Sequence, residues 1–434
     1  MAQNGTSFKL IRAARIMDGR GGPPLERGAL LIEGSSIRAV GPEESVAPPE
    51  GARVEEYDYP NHTVLPGLID AHTHLNGFGD GRSGDQLVQN SDDILLLQSE
   101  RNARAHLHTG VTTVRDCGAK GRTVFSLRQA IQMGITEGPR LVLAGRPVAI
   151  TGGHLWWFGC EADGVDGVRK AVRQLVKEGA DYIKITATGG STGTSLPLRP
   201  SFNVDELRAI VEEAHKFGRL TAAHCVSTQG IINCLEAGVD MLIHCVFREP
   251  DGSYNFREDV AERIARQGVW VNPTLAQGMI RLLALQDKAK SQGLTDRERL
   301  ELEQMKVTCD SRMEHFGRMV ALGVKMACGS DSAWAWYPMG SFQHEVAAHA
   351  QGGMGNMKAI LSATRDNAAA LDIHQKVGTL EPGKEADILV VDGNPAQDVN
   401  ALWNVAEVFK GGQRIQRGPA ESLAAIRQWP PHRS

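Results

Sequence analysis

The 434-residue sequence predicts a (β/α)8 barrel accompanied by a small β-sandwich built from both chain ends. Three observations carry this expectation. A helix–glycine–strand unit recurs through the middle of the chain, the recurrence yields eight candidate strands, and chemistry-bearing side chains fall at the C-terminal ends of those strands, where barrel enzymes keep their active sites.

The ends come first. Phe8–Met17, Gly28–Ile37 and Thr63–Leu65 are short runs split by Gly and Pro, and Gly378–Val391 and Val405–Ile415 look alike at the far end. Such runs are typical of small β modules. They predict a β-sandwich from residues 1–62 and 375–434, with the barrel spanning 63–374. Val64–Ala71 is the first barrel strand. Val111–Arg115 follows Gly110, and Leu141–Ala144 follows Pro139. Val168, Val172, Leu175 and Val176 recur at helical spacing, and Gly179 ends that helix before the strand Tyr182–Thr186. Asn203 and Glu206 form a capping-box pair ahead of Leu207, Ile210, Val211, Ala214 and Phe217, and Leu220–His224 follows Gly218. Val239–His244, Val269–Asn272 and Val324–Cys328 each follow a glycine, and Gly340–Leu371 reads as helices that finish the barrel. An open doubly wound sheet uses the same local signals, so the site residues must decide.

Composition removes several function classes. A net charge of -4 gives no electrostatic case for nucleic acid or an anionic membrane. No apolar stretch approaches the ~18 residues of a membrane span, and the opening MAQNGTSFKLIRAAR lacks the apolar run of a signal peptide. The 7 cysteines are scattered, with no CxxC pair. Together these predict reduced thiols and a cytoplasmic protein. The glycines Gly189, Gly190 and Gly193 match neither phosphate-loop nor dinucleotide spacing.

His72-Thr73-His74 follows the apolar run Val64–Ile69. Alternate side chains on a strand share a face, so both imidazoles can reach one cation. Taken alone, the pair is as consistent with a structural role. Lys184 lies between Ile183 and Ile185 in a strand expected to be buried on both faces. A buried ammonium is costly unless paired, deprotonated or modified. It either snorkels to the strand end or carries a carbamate, whose two oxygens can bridge two cations. His224 and His244 close consecutive strands. Cys225 and Cys245 follow them, yet strand neighbours point to opposite faces, which makes the thiols packing residues. Asp331, just past the last strand, offers a carboxylate to a cation or a proton; alternatively it caps the next helix. A closed barrel is the arrangement that brings all six to one centre.

Leu65–Leu75 (LPGLIDAHTHL), with Lys184, His224, His244, Asp331 and the tail Gly378–Pro395 (GTLEPGKEADILVVDGNP), resembles the amidohydrolase superfamily, especially its Xaa-Pro dipeptidase-like and imidazolonepropionase-like branch. Thr112–Asp116, Thr151-Gly152-Gly153-His154 and Ala187-Thr188-Gly189-Gly190 fit that branch as well. The resemblance implies a homo-oligomeric, metal-dependent hydrolase of a C–N bond in a small-molecule substrate. It implies two divalent metal ions, zinc being the usual choice for such ligands, with Mn, Co and Fe as the alternatives. His72, His74 and Asp331 would hold the more buried ion, His224 and His244 the more exposed one, with a carbamate on Lys184 bridging them. Such ions would supply a water made reactive near neutral pH, and Asp331 would carry the proton to the leaving amine. A catalytically inactive binding protein of the same fold is the other class, and the full ligand set speaks against it.

His154 sits among glycines after strand three. It either hydrogen-bonds the substrate carbonyl or developing oxyanion, or makes only local loop contacts. Trp156 and Trp157 after strand three, and Trp334 and Trp336 after strand eight, concentrate aromatics that form only 5% of the chain. They predict an apolar substrate pocket, a subunit contact being the alternative. Dipeptide-cleaving relatives often carry Tyr two positions after the strand-five histidine, where this chain has Val226. Arg199 and Arg115 are the candidates for a substrate carboxylate. The leading substrate is an N-acyl amino acid or dipeptide with an apolar side chain. A xenobiotic-type aryl amide, carbamate or urea is the alternative, favoured by Val226 and the tryptophans.

Overall fold

A computed structural model describes residues 7–417. Residues 1–6 and 418–434, part of the expected terminal β unit, lie outside the described residues. The strands in chain order are β1 (Phe8–Ile16), β2 (Leu25–Glu33), β3 (Ser36–Pro42), β4 (Val54–Pro66), β5 (Leu68–Thr73), β6 (Val111–Asp116), β7 (Arg140–Leu143), β8 (Ile183–Ile185), β9 (Thr221–Cys225), β10 (Met241–His244), β11 (Trp270–Asn272), β12 (Lys325–Met326), β13 (Ile388–Asp392), β14 (Val405–Lys410) and β15 (Gln413–Arg414).

The two chain ends do join, but in one seven-stranded sheet, ordered β15-β14-β13-β4-β1-β2-β3, in place of the expected two-layer sandwich. The reason is the length of β4. Its 13 residues pair in parallel with β1 from Phe8↔Val54 to Ile16↔Val64. Its other edge takes β13 antiparallel, from Ile388↔Pro66 to Asp392↔His62. The chain ends therefore share a strand. Period-2 alternation places Ile11, Leu30 and Ile32 in one apolar cluster and Leu10, Ala29 and Leu31 in another.

Val64–Ala71, expected as one strand, is split at Gly67. A Cβ at 67 would lie 2.2 Å from Thr112 Oγ1, so the chain passes from β4 to β5 at the residue that has none. The eight strands β5–β12 are parallel and alternate with helices in a TIM-barrel-like α/β arrangement. Their ladder is not one continuous ring: it forms two sheets, β5-β6-β7 and β8-β9-β10-β11-β12, linked by isolated bridges Thr73↔Ser332 and Val148↔Ile185. Side chains take the missing ladder positions. Asn367 Nδ2 donates to Ile69 O and Cys328 O, both at 2.6 Å, and Asn367 Oδ1 accepts from Cys328 N at 2.9 Å. At the other seam the Asp181 carboxylate accepts from Leu143 N at 2.8 Å.

The helices follow their expected stripes. Gly164–Glu178 buries Val168, Val172 and Leu175 and ends at Gly179, φ 101°. Val204–Lys216 opens on the Asn203/Glu206 capping box and buries Leu207, Ile210, Val211 and Ala214, while Phe217 stays exposed. Each fully buried aliphatic side chain contributes roughly 1.5–3 kcal/mol. Between β11 and β12 the helices Leu275–Ser291 and Asp296–Ala321 form a long hairpin, pinned by a two-pronged Arg281–Glu301 pair at 2.7 and 2.8 Å. No helix among the described residues is long and apolar enough to cross a membrane.

Arg140 on β7 ties the parallel strands to the terminal sheet. It donates to Glu385 and, at 3.1 Å, to buried Asp387. Arg140→Met leaves that carboxylate without its cation and is expected to destabilise by about 3 kcal/mol. Chemical denaturation checks this; an unchanged midpoint would refute it.

Candidate active site

His72 and His74 stand on one face at the end of β5, and Asp331 follows β12. Their tautomers can be deduced. Asn272 Nδ2 donates to Ala327 O and Gly329 O at 3.1 and 3.0 Å, so its Oδ1 accepts from His72 Nδ1 at 2.9 Å. Gly118 O, which only accepts, takes His74 Nδ1–H at 3.0 Å. Both Nε2 atoms therefore present lone pairs, and both face Asp331 Oδ1, at 3.3 and 3.5 Å. Burial, reinforced by the Lys184 charge, holds His72 well below the ordinary histidine range and His74 down at about 3, so both rings are neutral near pH 7. His72 Nε2 is buried with no hydrogen-bond partner. A proton on Asp331 can satisfy only one of the two imidazoles. A cation satisfies all three ligand atoms, which lie within 4.8 Å of one another. The donor set fits a divalent metal.

The second group lies beside the first. His224 Nε2–H donates to Gly189 O at 3.1 Å, which frees its Nδ1. The His244 ring is 4.7 Å from that of His224 and 5.5 Å from that of His72, and its Nδ1 lies 2.7 Å from Thr274 Oγ1. Burial lowers the pKa of both well below the ordinary value. Lys184, on β8, is 1% exposed, and burial depresses its ammonium pKa. A neutral amine is the form that adds CO2. Cys225 and Cys245 point into the hydrophobic core.

Backbone strain collects at this site. Asp331 (φ 58°), His244 (φ 65°), Cys245 (φ 50°) and Thr274 (φ 50°) all occupy the left-handed region, which costs non-glycine residues of order 1–3 kcal/mol each. Burial also pushes the Asp331 carboxyl up to about 7, against the opposing influence of Lys184 and a 3.0 Å hydrogen bond from Gln277 Nε2 to Oδ2.

One cavity of about 380 Å³ contains His72, His74, His154, Lys184, His224, His244 and Asp331 in its lining, with Val226 and Trp334. His154 fits because position 190 is glycine: a Cβ there would lie 2.5 Å from His154 Nε2. Its ring is 4.5 Å from that of His224, and burial lowers its pKa to about 3. The other tryptophans lie outside the lining. Trp157 is buried behind Trp334 and stacks on it at 5.8 Å, while Trp156 and Trp336 are each 37% exposed. Arg115 is buried on β6, donating to Ala71 O at 2.6 Å, and Arg199 is exposed on a loop; neither lines the cavity. The arginines that do are Arg248 and Arg312, with Gln277 beside them. Sequence reasoning missed these three. Arg248 lies four residues after His244, a position that an inspection of that strand-end loop would have reached. Gln277 and Arg312 belong to the helical hairpin, and no local pattern reveals which way it docks.

The Amidohydrolase family model matches residues 63–415. Ochratoxinase from Aspergillus niger is 28% identical over 445 aligned residues, covering 94% of this chain and 87% of that one. Among solved structures, a Xaa-Pro dipeptidase with methionine bound in its active site gives a TM-score of 0.81 at 29% identity, covering 94% of this chain and 100% of that one. The crystal structure of A. niger ochratoxinase gives 0.81 at 25% identity, covering 95% and 96%. A match that runs through both parallel sheets, with hydrolases that align nearly end to end, settles the family: the chain belongs to the amidohydrolases and is an enzyme that hydrolyses C–N bonds.

Proposed function

We propose that the protein cleaves the amide bond of an N-acyl amino acid or dipeptide with an apolar side chain. The observation that carries this reading is Arg248 and Arg312 in the same cavity as the histidines, Lys184 and Asp331. Arg312 uses Nη2 for its bonds to Pro273 O, Thr274 O and Thr274 Oγ1, and its Nε and Nη1 meet no acceptor among the described residues. A guanidinium so placed suits a substrate carboxylate. The Xaa-Pro dipeptidase with methionine in its active site supports the same substrate class.

In this reading His72, His74 and Asp331 would hold one divalent ion and His224 and His244 a second, with a carbamate on Lys184 as a further ligand available to them. Zinc suits these ligands. Such ions, when bound, polarise a carbonyl and make water reactive near neutral pH. The chain's own residues supply the rest. Asp331, whose Oδ1 faces the two imidazoles, accepts a proton and returns it to the leaving amine. Gln277 occupies Oδ2 and leaves Oδ1 toward the imidazoles. His154, with the Thr192 hydroxyl donating to Nδ1 at 2.9 Å, turns Nε2–H toward the substrate oxygen. Trp334, Leu155, Val226 and Val246 wall the space for an apolar side chain. The catalytic unit is residues 63–374 as a (β/α)8 barrel, and the described parts of the two flanking segments, 7–62 and 375–417, form the accessory β unit. Free thiols at all seven cysteines support a cytoplasmic setting, and a homo-oligomer follows the family.

Trp334, stacked on Trp157 and 5.1 Å from His74, favours a second reading, an aryl amide, carbamate or urea. Amine release by zinc- or manganese-loaded enzyme separates the two. N-acyl amino acids are compared with their carboxamide counterparts, and both with aryl amides, carbamates and ureas. Turnover that prefers the free carboxylate is the expected result. Release from the aryl compounds alone would overturn the first reading in favour of the second.

A further inference from the structure

We infer that Thr274 is a positioning residue for His244, held in a conformation that its own side chain disfavours; this rests on the reading of His244 as a metal ligand. Thr274 follows β11 and Pro273 with φ 50° and ψ 55°. A β-branched residue in the left-handed region is an outlier, because its branch crowds the backbone. Glycine would occupy the same corner without that conflict.

The surroundings fix the corner from both sides. Arg312 donates to Pro273 O and, at 2.9 Å, to Thr274 O. The fully buried Glu345 carboxylate accepts from Leu275 N at 2.9 Å and from Ala276 N at 2.6 Å. What this arrangement delivers is one hydroxyl. Thr274 Oγ1 lies 2.7 Å from His244 Nδ1 and 3.0 Å from Arg312 Nη2. Arg312 can only donate. With His244 Nδ1–H donating as well, both lone pairs of Oγ1 are used and His244 Nε2 keeps its lone pair for the cavity. His244 itself sits at φ 65° at the end of β10, so this contact is what anchors its ring to the next strand's loop. Partners on the second nitrogen of a ligating histidine set its tautomer and direction, and their loss typically lowers metal affinity about 10–100-fold.

Three variants separate positioning from mere structure. Thr274→Ser keeps the hydroxyl, Thr274→Val keeps the branched shape without it, and Thr274→Gly removes both the hydroxyl and the strain. Each is loaded with zinc and titrated with a chelator while metal per chain is counted; melting temperature, kcat and KM are then measured. Serine is expected to behave as the parent. Valine and glycine are each expected to release one of two metals about 10–100-fold more readily and to lose kcat with little change in KM. Glycine should do so while melting at or above the parent temperature. A structural role predicts the reverse for glycine, intact metal retention together with higher stability, and that result would overturn the inference. Two tightly held metals in the parent and equally in Thr274→Val would overturn it alone. One metal per chain in the parent would overturn the two-metal reading, and this inference with it.

Discussion

Asp331→Asn is expected to lower kcat by about a hundred- to ten-thousand-fold while making the metal-free protein more stable. Both effects follow from the same contacts. The carboxylate is the group placed to move a proton, and an amide cannot accept one. In the metal-free chain, Oδ1 faces two imidazole lone pairs at 3.3 and 3.5 Å, and a proton on the carboxyl can serve only one of them. An asparagine Nδ2 turned to that side donates to both. Steady-state kinetics on zinc-loaded enzyme, with thermal melts after chelation, check the pair of outcomes. Turnover within tenfold of the parent would remove Asp331 from the chemistry, and a lower metal-free melting temperature would contradict the lone-pair account.

Lys184→Met is expected to abolish measurable turnover and to stabilise the metal-free protein at neutral pH, because it removes the cost of burying an ammonium. The pH dependence has a definite sign. Burial lowers the Lys184 pKa below its unfolded value of 10.5, so between the two values the unfolded chain binds more protons than the folded one. The stability of the parent therefore rises with pH across that window. The methionine variant lacks this slope, and its advantage shrinks as pH approaches 10.5. Denaturant midpoints of both chelated proteins from pH 7 to 10 measure the difference. A gap that widens with pH would show that Lys184 is not a buried, strained cation. In Lys184→Ala, where space opens beside the two histidine groups, added formate or acetate should restore part of the activity if a carboxylate-like bridge is what the lysine provides.

The sequence exposed those features that depend on local periodicity and strand direction. Gly179 and the Asn203/Glu206 box mark helix ends that the structure reproduces, because capping is decided within a few residues. His72, His74, Lys184, His224, His244 and Asp331 share a cavity, as side chains at the C-terminal ends of parallel strands should. Features set by distant partners escaped. Strand β4 becomes a shared strand only because β13 reaches it, and nothing in Val54–Pro66 announces that. Asn367 breaks the ladder between β5 and β12 from a helix far along the chain. The tryptophans were visible as a cluster, yet composition cannot separate Trp334, which faces the cavity, from Trp157 packed behind it or from Trp156 and Trp336 at the surface. Arg312 and Gln277 depend on the docking of a helical hairpin, a tertiary event.

The sharing of β4 also sets a schedule for biosynthesis. Its outer edge at His62–Pro66, which includes the apolar Val64 and Leu65, pairs among the described residues with Ile388–Asp392. At ribosomal speeds of about 5–20 residues per second, those partners emerge roughly 15–60 s later. Throughout that interval the nascent chain presents an unsatisfied row of backbone donors and acceptors, the kind of edge on which strands from other chains can add. A chain that stopped after the helix Arg365–Ala370 would contain all eight parallel strands and every proposed metal ligand, and would still carry that open edge. For this enzyme, solubility during synthesis depends on a strand made long after the edge it covers.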